Sequence, residues 1–278
     1  MGKKTLFISD LDGTLLNSNA KITPVTAKII NKLIDDGLIF TYATARSYIT
    51  ALKVIGKINF KYPAVHKNGV CIQNPQTGEY FDKRVFDKNI ISEVIKKIQD
   101  NELLPLVYSY IDGEERLSWI LGKENDAMKS FFEERKNDKR FRPINDYEKF
   151  YDGEIHNIMF LSKYYEELKR ILDILNLNEY FVYHIQEDGY ISQYFLEIIR
   201  FDAGKDSGVQ KVKELVGADK IVCFGDNIND ISMFNVSDEK YAVANAIDEV
   251  KNIATAVIDS NDDDGVAKWL EKNAGNYI

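Results

Sequence analysis

No apolar run in this 278-residue chain approaches the roughly 18 residues that a membrane-spanning helix requires, so no helical anchor is expected. Concentrated basic tracts are absent too: 44 acidic against 36 basic residues give a net charge of −8, with the acids scattered. That balance argues against nucleic acid or an anionic membrane as the main partner, because phosphate backbones are held by clustered Lys and Arg. A local basic pocket for one small phosphate stays open. Cysteine is confined to Cys71 and Cys223, each inside an apolar stretch. The pair predicts buried thiols in a reducing compartment, not a disulfide framework. The three histidines, His66, His156 and His184, lack ligand spacing among themselves, so ordinary packing is expected of them. Repeats of fixed period and low-complexity tracts are also missing. Met-Gly-Lys-Lys is followed by only four apolar or near-apolar residues before Asp10, too few for a secretory signal. The expected location is the cytoplasm.

With 45% hydrophobic and 29% charged residues, the chain has the apolar mass for one large core or two of ordinary size. Its first 80 residues alternate between short apolar runs and helical periods. Residues 5–8 read as a buried strand. Thr23 as cap, Pro24, and a stripe of Val25, Ile29, Ile30, Leu33 and Ile34 predict a helix that Gly37 stops. Residues 38–43 read as a second buried strand, 47–55 as a helix, and 63–66 as a third strand. Strands alternating with helices imply a parallel, doubly wound α/β sheet.

The character changes between Phe86 and Phe195, where 18 of the 31 Phe and Tyr residues fall within 110 positions. Hairpin signals stand at Asp112-Gly113 and Asp188-Gly189, beside strand-like runs at 106–111 and 190–199. Helical stretches at 88–102 and 164–175 complete an antiparallel α+β pattern, read as an inserted domain over 83–199. The alternating core then comprises 1–82 and 200–278, with helices at 205–216 and 265–272, one opening at 230–234, and strands at 220–224, 241–243 and 255–258. The run Asp262-Asp263-Asp264 is expected to be a solvated start for the last helix, where acids favour the dipole.

Four clusters fall just past the ends of predicted parallel strands or at the start of the next helix, the edge where open α/β sheets bind ligands. Asp10 and Asp12 follow the first strand, Thr44 the second; Lys205 opens a helix behind Gly204; Gly225-Asp226-Asn227-Ile228-Asn229-Asp230 follows residues 220–224. Two carboxylates held so close raise the energy of the empty site unless one is protonated or a cation lies between them. Asp10, Asp12 and Asp226 offer the oxygen ligands that a hard ion such as Mg²⁺ prefers. Thr44 offers a hydroxyl and nearby backbone N–H groups for phosphoryl oxygens, and Lys205 a compact positive charge. The set holds no hydride acceptor or thiol; it suits phosphoryl transfer, which is mostly positioning and charge neutralisation. Taken singly, each has a plainer reading: Asp10–Thr14 or 225–230 as a polar turn, Thr44 as a helix cap, Lys205 as a solvated helix residue, Arg46 as a structural or rim charge.

In order, Asp10-Leu11-Asp12-Gly13-Thr14-Leu15-Leu16, Thr44, Lys205 and Gly225–Asp230 resemble the four motifs of the haloacid dehalogenase superfamily of phosphohydrolases. The insertion, and the ending Asp264-Gly265-Val266-Ala267, resemble its Cof-type branch with an α+β cap. The resemblance implies a Rossmann-like core and a phosphoric monoester hydrolase. It makes Asp10 the nucleophile, forming an aspartyl-phosphate, and a Mg²⁺ ligand. Asp12 would bind Mg²⁺ through its carbonyl while its side chain serves as acid and base. Asp226 would ligate the metal, Asp230 would support its shell, and Leu11 (through its amide), Thr44, Ala45, Lys205 and Asn229 would hold phosphate. Two departures stand out. Ala45 and Asp206 replace glycines common in the family, and Asp206 is expected to point away from the site.

These motifs address only metal and phosphoryl oxygens, so the cap is expected to choose the leaving group. It would hinge near 82–86 and 198–203 and contact substrate through a loop such as Glu187-Asp188-Gly189-Tyr190. Most of its rings are expected to form its own core. The expected substrate is a small phosphorylated metabolite, a sugar phosphate before others, and the expected protein a monomer or weak homodimer. Rival readings are a phosphomutase, a nucleotide or pyridoxal-phosphate phosphatase, and a non-catalytic ligand-binding domain.

Overall fold

A computed structural model describes residues 4–188 and 193–277. Strand β1 (Thr5–Ser9) is buried along its whole length, as is β2 (Ile39–Tyr42). Strands without an exposed face belong in a sheet covered on both sides. Between them runs α1 (Pro24–Asp35), where Thr23 accepts the N–H of Thr26 at 3.0 Å. Helix α2 (Tyr48–Ile55) is capped by Ser47. Strand β3 (Ala64–His66) departs from expectation. It meets the end of β2 only through a parallel bridge, Ala43 to Val65, and pairs antiparallel with β4 (Cys71–Gln73), which pairs with β5 (Tyr80–Lys83). The cause is local: Lys67, Asn68 and Gly69 all take positive φ, turning the chain back with no room for a crossover helix.

The inserted segment carries α3 (Lys88–Asp100), β6 (Leu106–Ile111), β7 (Glu114–Ile120), α4 (Asp126–Glu134), β8 (Phe141–Ile144), β9 (Glu154–Ser162), α5 (Tyr165–Leu175), β10 (Phe181–Asp188) and β11 (Gln193–Arg200). The first motif-bearing fold then resumes with α6 (Lys205–Val216), β12 (Lys220–Gly225), α7 (Ile231–Asn235), β13 (Glu239–Val243), α8 (Asp248–Ile253), β14 (Ala256–Ile258) and α9 (Gly265–Asn273). The chain divides into two compact units, with breaks at 83/84 and 201/202.

In the first unit the sheet order is β14-β13-β12-β1-β2, every neighbour parallel. The path from β1 to β2 runs one way and that from β12 through β13 to β14 the other. Right-handed crossovers therefore place the intervening helices on opposite faces. Consistent with this, α1 packs on α9 and α6 on α7. The architecture is a doubly wound α/β core, and its direction switches between β1 and β12. At such a switch the two following loops part and leave a crevice for ligand. Asp264 corrects an expectation: half-buried, it accepts hydroxyls from Thr23 and Thr26, tying the start of α9 to α1.

The second unit is an α+β layer of order β10-β11-β9-β6-β7-β8. It is antiparallel except for β7 and β8, which run parallel at one edge and so correct the purely antiparallel expectation. Asp112 and Gly113, at φ +51° and +79°, form the expected two-residue turn, with Ile111 opposite Glu114. One sheet face packs Val107, Ile158 and Leu196 against Ile95 of α3 and Leu168 of α5; on the other, Leu117 and Met159 pack with Met128 and Phe131 of α4. Helix α4 has no counterpart in the sequence reading. Many of the aromatic rings, Phe86, Phe131, Phe150, Phe160 and Phe181 among them, are buried in these cores. Of the loop expected to touch substrate, Gly189 and Tyr190 lie outside the described residues.

Candidate active site

The loops that follow β1 and β12 are tied together at the switch point. Asp10 continues β1's ladder, its N–H donating to the Phe224 carbonyl at 3.0 Å. Residues 11–15 then curl into a single wide turn closed by Leu16 N–H on the Leu11 carbonyl at 2.8 Å. Gly13 is required there: φ is +76°, and a Cβ would collide with the Asp226 carboxylate. Thr14 Oγ donates to Asp226 Oδ1 at 2.6 Å, and Asn245 Nδ2 to the Gly13 carbonyl at 2.8 Å.

Lys205 is the pivot. Its side chain is 1% exposed, and Nζ donates to Asp10 Oδ1 at 2.5 Å and to Asp230 Oδ1 at 2.7 Å. The other oxygen of Asp230 accepts the N–H groups of Asp226 and Asn227 at 2.9 and 3.1 Å, which folds the 225–230 loop around it. One oxygen each from Asp10, Asp226 and Asp230 lie within 4.8 Å of one another. Three carboxylates therefore share one ammonium. Burial pushes the Asp10 carboxyl well above the usual range; Lys205 pulls it down, but Asp230 and Asp226 push it up again. Asp226 is pushed up to about 6 by burial, relieved by the Thr14 hydroxyl and reinforced by Asp230. Burial alone would lower the Lys205 ammonium, yet Asp10 and Asp230 hold it above its ordinary value.

This excess of buried negative charge fits a hard cation. Oxygen donors of this kind suit Mg²⁺, and a bound cation would offset the burial and the mutual repulsion that raise both carboxyls.

The remaining predicted residues stand as follows. Thr44 is buried, its N–H on the Val65 carbonyl at 2.9 Å, and its hydroxyl oxygen accepts the Arg46 N–H at 3.1 Å. Ala45 is exposed. The side chain of Leu11 is fully buried in the core, leaving only its backbone for a ligand. Asn229 donates to Asn68 Oδ1 at 3.2 Å, and Asn68 N–H donates to the Thr44 carbonyl at 3.0 Å, linking two predicted phosphate loops. Gly69 lies so close to Gly204, just ahead of Lys205, that any Cβ on it would strike that backbone. The Asp12 side chain does not join the acid cluster; it pairs with Arg46. Asp206 turns back against Gly204 at the cap of its own helix. Sequence reasoning missed Asn68 and Asn245, gave Thr14 no role beyond its place in the first motif, and left Arg46 as a structural or rim charge. Only Asn68, in an Asn-Gly pair directly after a strand, carried a usable signal. Cys71 and Cys223 are buried thiols, His66 is packed against Tyr42 and Tyr48, and His156 faces Glu115.

A family model described as haloacid dehalogenase-like hydrolase matches residues 7–270. The 5-amino-6-(5-phospho-D-ribitylamino)uracil phosphatase YwtE of Bacillus subtilis is 28% identical over 291 aligned positions, which cover 95% of this chain and 96% of that protein. The crystal structure of TM0651 from Thermotoga maritima is similar with a TM-score of 0.78, at 28% identity and 97% coverage of both chains. The sugar phosphatase BT4131, of HAD subclass IIB, shares the fold at a TM-score of 0.71 and 20% identity, covering 98% of this chain and 99% of that one. Matched over almost its whole length, the chain belongs to the haloacid dehalogenase-like hydrolases and is a phosphoric monoester hydrolase of the Cof-type branch.

Proposed function

We propose that this protein is a Mg²⁺-dependent phosphatase of small phosphorylated metabolites, acting through an aspartyl-phosphate on Asp10. The observation that carries the reading is the convergence of Asp10, Asp226 and Asp230 on Lys205 at the switch point of the sheet. Asp10, Asp226 and the Asp12 carbonyl would hold the ion, with Asp230, already engaged by Lys205 and two amides, supporting them. When bound, the ion supplies positive charge to phosphoryl oxygens. Asp10 attacks phosphorus, splitting one hard displacement into two easier ones. Lys205 favours the ionised form of that carboxylate and aims it while offering charge to the incoming phosphate. The Thr44 hydroxyl, with its oxygen already accepting from Arg46, is set to donate to a phosphoryl oxygen, beside the amides of Leu11 and Ala45 and the side chain of Asn229. Asp12 protonates the departing oxygen and then takes a proton from the attacking water.

The substrate class we favour is a phosphate ester on a sugar or sugar-alcohol carbon. YwtE's named substrate carries phosphate on a ribityl chain, and BT4131 is named a sugar phosphatase. A net charge of −8 supports a small metabolite over nucleic acid. No helix among the described residues is long and apolar enough to cross a membrane, in keeping with a cytoplasmic site of action. The test is hydrolysis of p-nitrophenyl phosphate with Mg²⁺ and with chelator, followed by a panel of phosphorylated metabolites ranked by kcat/KM. Activity that survives in chelator, or in Asp10→Asn, sinks the reading; a panel led by nucleotides or pyridoxal phosphate sinks the substrate class.

A further inference from the structure

Arg46 grips Asp12 through both oxygens, Nε to Oδ2 at 2.7 Å and Nη2 to Oδ1 at 2.6 Å. The Arg46 backbone is itself pinned: its N–H donates to Thr44 Oγ, and its carbonyl accepts the Lys67 N–H at 3.1 Å. The Asp12 side chain is 50% exposed and that of Arg46 25%. An ion pair so wet adds little to stability, so stability gives little reason for it. Geometry gives a better one. Two parallel N–H···O bonds fix the plane of a carboxylate as well as its position, which a point charge cannot do. Asp12 needs that help, because it stands on an exposed turn beside Gly13, where burial does not fix its rotamer.

We infer that Arg46 is a positioning residue for proton transfer, aiming Asp12 at the leaving-group oxygen; this rests on the acid and base role given to Asp12 above. In the first half-reaction the bond from Asp10 oxygen to phosphorus forms as the bond from phosphorus to the leaving oxygen breaks. The electron pair goes to that oxygen, which takes its proton from Asp12. In the second, water oxygen attacks phosphorus, its proton returns to Asp12, and the Asp10 carboxylate leaves with the electron pair of its bond to phosphorus. In this scheme Arg46 acts through Asp12 alone. One Asp12 oxygen can stay on the fork while the other carries the proton.

The consequence is a dependence on the leaving group. A nitrophenolate departs without a proton, whereas an alkoxide does not. The experiment measures kcat/KM, which reports steps through phosphoenzyme formation, for p-nitrophenyl phosphate, phenyl phosphate and glycerol phosphate with wild type, Arg46→Ala and Arg46→Lys. A well-aimed general acid contributes about 10²–10⁴-fold, so losing its aim should cost the alkyl ester roughly 30-fold or more. The ratio of aryl to alkyl kcat/KM should rise at least tenfold, and the plot against leaving-group pKa should steepen. Arg46→Lys should stay near Arg46→Ala, and added guanidinium should restore part of the alkyl activity of Arg46→Ala alone. Parallel losses on all three esters, from misfolding or from a phosphate-binding role, would overturn the inference. A wild-type protein that hydrolyses none of them would instead overturn the phosphatase reading.

Discussion

Each of the two units buries a cation between carboxylates, and the two clusters are built to opposite ends. In the core, Lys205 stands between Asp10 and Asp230 with Asp226 alongside. In the cap, Arg140 reaches Asp138 with Nε at 2.9 Å and Nη2 at 2.6 Å, and Glu115 with Nη1 at 2.7 Å. Burial alone would raise the Asp138 carboxyl, yet the hydrogen bonds from Arg140 carry it below its ordinary value. Asp10 and Asp226 move the other way. The ingredients are alike; the balance differs. Where the several N–H donors of one guanidinium meet two acids, the cluster is settled and structural. Where acids outnumber the ammonium, the fold keeps charge that only an added cation or a proton can quiet, which is what a phosphoryl-transfer site needs.

The comparison breaks most visibly in activity. Asp10→Asn should lower kcat/KM for any phosphate ester by roughly 10⁴-fold or more, the scale of losing a nucleophile, with circular dichroism unchanged. Arg140→Ala should do its damage in stability. Removing one partner of a buried ion pair costs about 3–5 kcal/mol, because the other charges are stranded, and the denaturant midpoint should fall accordingly. If Arg140→Ala melts like wild type, the cap cluster is not the settled pair described above.

How much of this was legible beforehand follows from how local each cause is. The buried strands β1, β2 and β12 are continuous apolar runs, and α1 and α6 carry their start and stop signals within a few residues of their ends, so the core's order could be read directly. Asp10, Lys205, Asp226 and Asp230 were legible as candidates because their places after a strand or at the start of a helix put them at one edge of the sheet. The strand at 63–66 was legible, but β4, β5 and the antiparallel pairing of the three were not, because three- and four-residue strands give too short an alternation, and the pairing depends on the left-handed turn at 67–69. Arg46 read as a rim charge because its partner lies 34 positions away, across two loops that only the fold brings together. Asp264 read as solvated for the same reason: Thr23 and Thr26 meet it through the packing of α1 on α9.

Metal should sharpen the contrast next. A cation at 100 times its Kd stabilises the folded state by about 2.7 kcal/mol. Mg²⁺ at pH 8 should therefore raise the melting temperature, and Asp226→Asn should abolish the rise while Asp138→Asn leaves it in place. Because Asp226 is pushed up to about 6, protons compete with the ion below that value. The Mg²⁺-induced rise should be smaller at pH 5 than at pH 8. A rise that survives in Asp226→Asn removes this residue from the ligand set.

The smallest effect is the most discriminating, since one substitution made in both clusters should change sign. Asp226 titrates higher in the folded protein than in the unfolded chain, so the folded state binds more protons between about pH 4 and 6. Stability contributed by this group is therefore lost as pH rises through that window, and above it the native protein carries a charge it would shed. Asparagine keeps the acceptor that Thr14 uses and removes that charge. In chelator at pH 8, Asp226→Asn should thus melt higher than wild type, by about 2–4 °C if the relief is near 1 kcal/mol, and the gain should vanish near pH 4. Asp138 is displaced downward, so its ionised form stabilises the fold above the usual carboxylate range. Asp138→Asn should melt lower at pH 8 and approach wild type only in acid. Shifts of the same sign at the two positions would mean that charge balance does not separate the Lys205 cluster from the Arg140 cluster.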